Sequence, residues 1–331
     1  MAFLHLPYTQ GLVSTYVREV PYDGGNTTSS FTWAWCDAPY LEFSMKSEYA
    51  NNWNVSVDGA FIAPTAYFPL VENNNQIYRT RIDMGTAKNR LWCVQAKGQS
   101  IQWKVPAGYT LTQYVHPGTR TYMTSNSWGR TGSAVSGVDP FGNTEAGNMG
   151  MACYNRIAMA CGLNPTHDQA GGAGWLHLGA AGNNHLQRMT AILGGYGAGT
   201  FGCFICSGPD GNDRSEVLAD VVDNMEDGYQ LMRAHNATAP IIYFGPGVYQ
   251  DSYTSDWDDL WDAAYTWVQT HSDDPNVHMI DLRGWLAASG GAALNIHSGG
   301  SHPNNYGHVN VAQYVVGTIK TILRAAGFTG V

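Results

Sequence analysis

Two kinds of apolar pattern divide the chain near residue 117. Before that point apolar and polar residues alternate in short runs, and no helical period of three and four is visible. The spans 31–45, 53–62, 77–84, 90–96 and 101–105 read as strands. Asp58-Gly59 marks a hairpin turn and Pro106-Ala107-Gly108 ends a run. Several short strands in succession predict an antiparallel β-sandwich over residues 1–117. The His116-Pro117-Gly118 stretch reads as the linker that follows it.

Beyond the linker the period changes. Apolar strands at 122–124, 201–206, 241–244 and 277–281 alternate with helical patterns near 146–161, 216–234, 256–270 and 306–325. In the second helix Leu218, Val221, Val222, Met225, Tyr229 and Met232 share one face. The third repeats this with Trp257, Leu260, Trp261, Ala264 and Val268, behind Ser255 as an N-cap. The last carries Val309, Ala312, Val316, Ile319 and Leu323, and stops before Gly327, a suitable residue to follow a helix. Alternating strands and helices predict an α/β domain over 118–331. Its sheet is parallel, with helices on both faces.

Composition narrows the function classes. The 331 residues exceed the usual size of one domain, which agrees with two. No run of 18 apolar residues occurs, so no membrane span is expected. Residues 1–12 lack the basic start and apolar stretch of a signal peptide. The compartment stays open, with an extracellular or virion-associated site favoured over a cytoplasmic one. Residues 1–117 hold 8 basic and 8 acidic side chains, whereas 118–331 hold 9 and 18, so the net charge of −9 belongs to the second part. Nucleic acid requires the opposite sign and is not an expected partner. A charged fraction of 13% beside 11 Trp and 19 Tyr suits a neutral ligand such as a sugar. Six cysteines are too few for a disulfide scaffold, and Cys203-x-x-Cys206 within an apolar run reads as a pair of buried strand thiols. No set of His, Cys, Asp or Glu has metal-ligand spacing, so neither metal nor cofactor is expected. Oligomeric state is not encoded in these patterns.

In open α/β sheets the site lies at the carboxyl ends of the strands. The loops there are Ser125-Asn126-Ser127-Trp128, Gly171-Gly172-Ala173-Gly174-Trp175, Gly208-Pro209-Asp210-Gly211-Asn212-Asp213 and Ser301-His302-Pro303-Asn304-Asn305. A hydroxyl, an imidazole and N–H donors are the components of acyl transfer. Their order resembles the blocks of the SGNH (GDSL-type) hydrolase superfamily. Ser125-Asn126-Ser127-Trp128 is similar to the family's Gly-Asp-Ser block, which implies Ser127 as nucleophile. Gly171-Gly172-Ala173-Gly174-Trp175-Leu176 is similar to Gly-Gly-Thr-Gly-Tyr-Leu, with Gly172 as an oxyanion N–H donor. The Gly208…Asn212-Asp213 segment resembles Gly-x-Asn-Asp, with Asn212 as side-chain donor. Gly299-Gly300-Ser301-His302-Pro303 resembles Asp-x-x-His-Pro, with His302 as general base. Leu163-Asn164-Pro165 and Phe244-Gly245-Pro246 are further family-like features.

The resemblance implies a serine carboxylic ester hydrolase acting through an acyl-enzyme on an O-acetylated or short-acylated carbohydrate. Trp128, Trp175 and Tyr249 are expected near the acyl or sugar group, with core packing as the alternative role. An acyltransferase with the same acyl-enzyme is one rival. A non-catalytic carbohydrate-binding or phage virion tail component on a decayed SGNH fold is another.

Three departures from the family pattern stand out. Asn126 replaces the Asp before the nucleophile, and two extra residues separate Gly208 from Asn212. Gly299 stands where the third triad member, Asp, would be. His302 Nδ1 then needs a backbone carbonyl near 296–300, or a carboxylate such as Asp213 or Asp281. Each candidate also has an ordinary reading. Ser127 could cap a turn, His302 could be a loop residue, Asn212 could belong to a helix N-terminus, and Gly172 could serve only a positive φ. His297 and His308 read as surface residues, His167-Asp168 as a loop dipeptide, and the sequons at Asn26, Asn54 and Asn236 carry no information.

Overall fold

A computed structural model describes residues 8–13, 29–46, 53–58, 60–61, 77–97, 101–113, 120–126, 137–138, 144–145, 153–179, 182–245, 255–296 and 302–328. The described residues up to Gln113 form one compact unit, and those from Arg120 onward form a second.

The first unit is all antiparallel. Its strands are β1 (Tyr8–Val13), β2 (Ser29–Cys36), β3 (Tyr40–Lys46), β4 (Trp53–Val57), β5 (Ala60–Phe61), β6 (Ile77–Asp83), β7 (Arg90–Lys97), β8 (Ile101–Pro106) and β9 (Leu111–Gln113). They make two sheets, of order β1-β8-β3-β6 and β5-β4-β7-β2-β9. The predicted strand 31–45 is two strands. Asp37-Ala38-Pro39 breaks it, with Asp37 accepting from Thr110 N at 2.6 Å. Strand β1 was not anticipated. The hairpin at Asp58 is present, with Asp58 at a φ of 51°. Inward residues of both sheets, among them Leu41, Phe43, Val55, Trp92, Trp103 and Val105, share one core.

The second unit contains β10 (Arg120–Ser125), β11 (Gly137–Val138), β12 (Thr144–Glu145), α1 (Cys153–Ala160), β13 (Asn164–Gln169), α2 (His185–Gly194), β14 (Phe201–Ser207), α3 (Leu218–His235), β15 (Ile241–Gly245), α4 (Ser255–Thr270), β16 (Val277–Asp281), α5 (Trp285–Ala288), α6 (Ala292–Asn295) and α7 (Asn305–Ala325). Five strands form a parallel sheet of order β13-β10-β14-β15-β16, the doubly wound flavodoxin-like order. Successive residues of β14 and β15 alternate between two cores. Cys203, Ile205, Ile242 and Phe244 pack with α1, α5 and α7, whereas Phe204, Cys206, Ile241 and Tyr243 pack with α2, α3 and α4.

Several expectations are corrected here. His167-Asp168 is not a loop dipeptide but lies buried in strand β13. Helices α2, α5 and α6 were not anticipated. The first helix begins at Cys153 among the described residues, and α4 is described from Ser255. His308 is buried, accepting at Nδ1 from Cys153 N at 3.2 Å, because the buried face of α7 is centred on Val311, Val315 and Ile319. Gly327 follows α7 with a φ of 85°, as expected. The linker at 116–118, His297 and the sequon at Asn26 lie outside the described residues.

Candidate active site

Strand β10 sits at the topological switch. From it the chain crosses to β13 on one side and then to β14 on the other, and in open α/β sheets ligands bind at the carboxyl ends of the strands flanking such a switch. The turn after β10 begins with Asn126, which is buried. Ser127 and Trp128, the next residues, lie outside the described set, as do Tyr249 and Gly299.

The floor beneath that turn is polar and hydrogen-bonded. Ser125 Oγ lies 2.8 Å from His167 Nε2, and His167 Nδ1 lies 3.3 Å from Asn155 Oδ1. Tyr154 stacks on the His167 ring at 5.2 Å. Burial, aided by Arg188, lowers the pKa of His167 to about 3, so its imidazole is neutral. One tautomer fits both contacts: Nδ1–H donates to Asn155 while Nε2 accepts the Ser125 hydroxyl. This hydroxyl–imidazole–amide chain has the composition of a triad, but its Ser125 is buried. Beside it, Asp168 pairs with Arg188 and accepts from Tyr122 Oη at 3.0 Å.

Three loops are tied together above this floor. Asn126 Nδ2 donates to Asp210 Oδ2, joining the β10 turn to the β14 loop. Asp213 accepts three backbone N–H groups of the glycine loop, from Trp175 at 2.9 Å, Leu176 at 2.9 Å and His177 at 3.1 Å. A Cβ on Gly174 would overlap the Asp213 carboxylate, which makes that glycine obligatory. Gly172 has a φ of 74°, within a turn closed by Ala173 N donating to Ala170 O. Asn212 is half-buried; its backbone N–H donates to Asp210 Oδ1 at 2.7 Å and its Nδ2 to Ala173 O at 3.2 Å. Burial and the neighbouring Asp213 raise the pKa of the Asp210 carboxyl.

His302 is half-buried, and burial lowers its pKa below 6.5. It is held from behind: Pro303 bridges Ile296, and Asn304 caps α7 through Gly307 N at 2.9 Å and donates from Nδ2 to Leu294 O at 2.8 Å. The two carboxylates considered for its Nδ1 are engaged elsewhere, Asp213 with the glycine loop and Asp281 with Arg283 at 2.8 Å.

Trp175, expected beside the ligand, is corrected to a core residue. It is 0% exposed, donates from Nε1 to Ser207 O at 2.8 Å and packs on Met189, Tyr243 and the glycine face of α3 at Gly228. Cys203 and Cys206 are free, buried thiols on opposite faces of β14, because a spacing of three puts them in different cores. Among the described residues no group of three or more metal-ligating side chains converges, and no helix is long and apolar enough to cross a membrane. The residues missed from sequence are Asn155, His167 and Asp210. Position at a strand's carboxyl end was the available signal for Asp210.

No family model matches the chain, and no curated protein matches it in sequence. Solved structures do match in fold. An active-site mutant of a family two carbohydrate esterase from Clostridium thermocellum superposes with a TM-score of 0.65 at 14% identity, covering 95% of this chain and 99% of its own. A salicylyl-acyltransferase from a tetracycline biosynthetic pathway gives 0.59 at 16% identity, with coverages of 91% and 83%. A GDSL-like lipase from Bacteroides ovatus gives 0.56 at 14% identity, with coverages of 89% and 84%. The chain shares with these structures a doubly wound α/β fold, preceded in sequence by an antiparallel β part.

Proposed function

We propose that the protein is a serine carboxylic ester hydrolase. One observation carries this reading: the turn that leads into Ser127 leaves the switch-point strand and is anchored by a buried hydrogen bond to the adjoining β14 loop, which itself holds the glycine loop. In the proposal Ser127 Oγ attacks the ester carbonyl while His302 takes its proton. The Gly172 N–H, the Ser127 N–H and the second Nδ2–H of Asn212 receive the oxyanion. Collapse expels the alcohol, protonated by His302, and leaves an acyl-enzyme. Water then gives a proton to His302, attacks the acyl carbon and releases the carboxylic acid with Ser127 restored. His302 is suited to the role because burial keeps it neutral near pH 7.

The proposed substrate is an O-acetylated or short-acylated carbohydrate, with Trp128 and Tyr249 beside the sugar. Likeness to a carbohydrate esterase and the abundance of Trp and Tyr support it. Likeness to an acyltransferase favours one second reading, transfer to an alcohol acceptor. Two measurements test the proposal. A fluorophosphonate should label the chain once, on the peptide carrying Ser127. Acetylated xylan should yield free acetate, and an added sugar acceptor should leave that yield unchanged. Labelling elsewhere would overturn the assignment, and transfer to the acceptor would replace hydrolase by transferase.

A further inference from the structure

The Asn126–Asp210 contact joins two positions that depart from the family pattern together. The first block has Asn126 where the family has Asp. Read without a gap from Gly208, the third block is Gly208-Pro209-Asp210, which puts Asp210 where the family has Asn. These two residues hydrogen bond to each other, both side chains are buried, and Asn126 is the immediate neighbour of Ser127.

We infer that Asn126 and Asp210 are a reciprocal exchange of the two blocks' Asp and Asn, and that this pair positions the Ser127 turn against the β14 loop. The inference rests on the proposed function for its catalytic consequence. In this bond the amide donates from the turn, and the carboxyl group accepts in the loop. Asp210 uses both oxygens, Oδ2 for Asn126 Nδ2 and Oδ1 for Asn212 N at 2.7 Å. It follows that the side-chain donor to the oxyanion, absent at 210, moves two residues on to Asn212. That explains why the Asn-Asp pair at 212–213 lies further from Gly208 than the family spacing.

Donor and acceptor counting predicts an unusual order of effects. Asn126→Asp removes the amide donor and sets two carboxyl groups face to face in a buried site with Asp213 nearby, so that one of them must stay protonated. Asp210→Asn leaves two amides, which still pair if one of them flips. In the double variant the carboxylate introduced at position 126 accepts from the amide introduced at position 210. The oxygen of that amide still accepts from Asn212 N. The bond is restored with its direction reversed.

The test is a double-mutant cycle on the full chain with nitrophenyl acetate, together with thermal unfolding of all four proteins. Asn126→Asp alone should lower kcat at least 10-fold with KM little changed, and lower Tm. Adding Asp210→Asn should bring both kcat and Tm back towards wild type, so the second substitution rescues the first. A double variant as poor as, or poorer than, Asn126→Asp in both readouts would overturn the exchange. Recovery of Tm without recovery of kcat would overturn the positioning role. If the wild-type chain has no esterase activity, the proposed function fails, the positioning role fails with it, and the Tm cycle still decides the exchange.

Discussion

His302 carries its chemistry in the neutral form, and burial disfavours the imidazolium. Activity should therefore be complete above its pKa and fall as pH drops through it, with the acid limb of kcat/KM centred below the ordinary 6.5. A limb centred above 6.5 would mean that a carboxylate stabilises the cation. His167 and His185 make a separate statement about stability. Both are buried, and their pKa values are lowered to about 3 and about 4. The unfolded chain takes up these protons below about 6.5, while the folded chain does not, so each group's contribution is present above 6.5 and lost on acidification. The loss is about 1.4 kcal/mol per pH unit for each group until its folded pKa is reached. His167→Asn should lower stability at neutral pH, yet make its decline between about pH 6 and 4 shallower by about that amount. Denaturant melts across this range check it, and parallel slopes would show that His167 does not titrate between folded and unfolded states. His167 was unreadable in the sequence because its neighbours Asn164, Pro165, Thr166, Asp168 and Gln169 look like a loop.

Strand β13, made of those residues, shows why one element escaped prediction. It is the edge of the parallel sheet, so Pro165 is tolerated, and its side chains are paired by Ser125, Asn155, Arg188 and Tyr122 instead of being apolar. Helix α2 escaped too, although its signal was present: Asn184 and Gln187 form a capping box. The elements of clear period, α3, α4 and α7 with strands β14 to β16, were legible because each buries a continuous face. At the same scale, the Asp213 carboxylate acts as the clamp on the glycine loop. Asp213→Asn replaces one acceptor by an N–H donor facing backbone N–H groups, which should cost about 1–3 kcal/mol. Turnover should fall at least 10-fold as the Gly172 N–H loses its position. Unfolding and kcat measured on the same variant check both, and a change within about 0.5 kcal/mol would show that the loop holds itself. Trp175→Ala should cost about 3–5 kcal/mol in an unfolding measurement, as a core residue does; a value near zero would return Trp175 to the ligand side.

For the whole molecule, the chain pattern foretold an antiparallel β part and a doubly wound α/β part, and the sheet orders agree with both. What the pattern could not reveal is long-range pairing. Asn126 and Asp210 are 84 positions apart, and Ser125 and His167 are 42 apart; nothing local announces either contact. The motif loops belong to the second unit, so a fragment beginning at Gly118 that folds should retain turnover of small esters and lose activity on a polymer. A folded fragment inactive on both would show that the first part completes the site. The central claim is that Ser127 is an acyl-accepting nucleophile, and the rate of nitrophenyl acetate hydrolysis by wild type and Ser127→Ala tests it most directly. The account predicts a loss on the order of 10⁶-fold, to background, with the melting temperature nearly unchanged. Turnover that survives in Ser127→Ala but disappears in Ser125→Ala, or that is absent from the wild type itself, would contradict it.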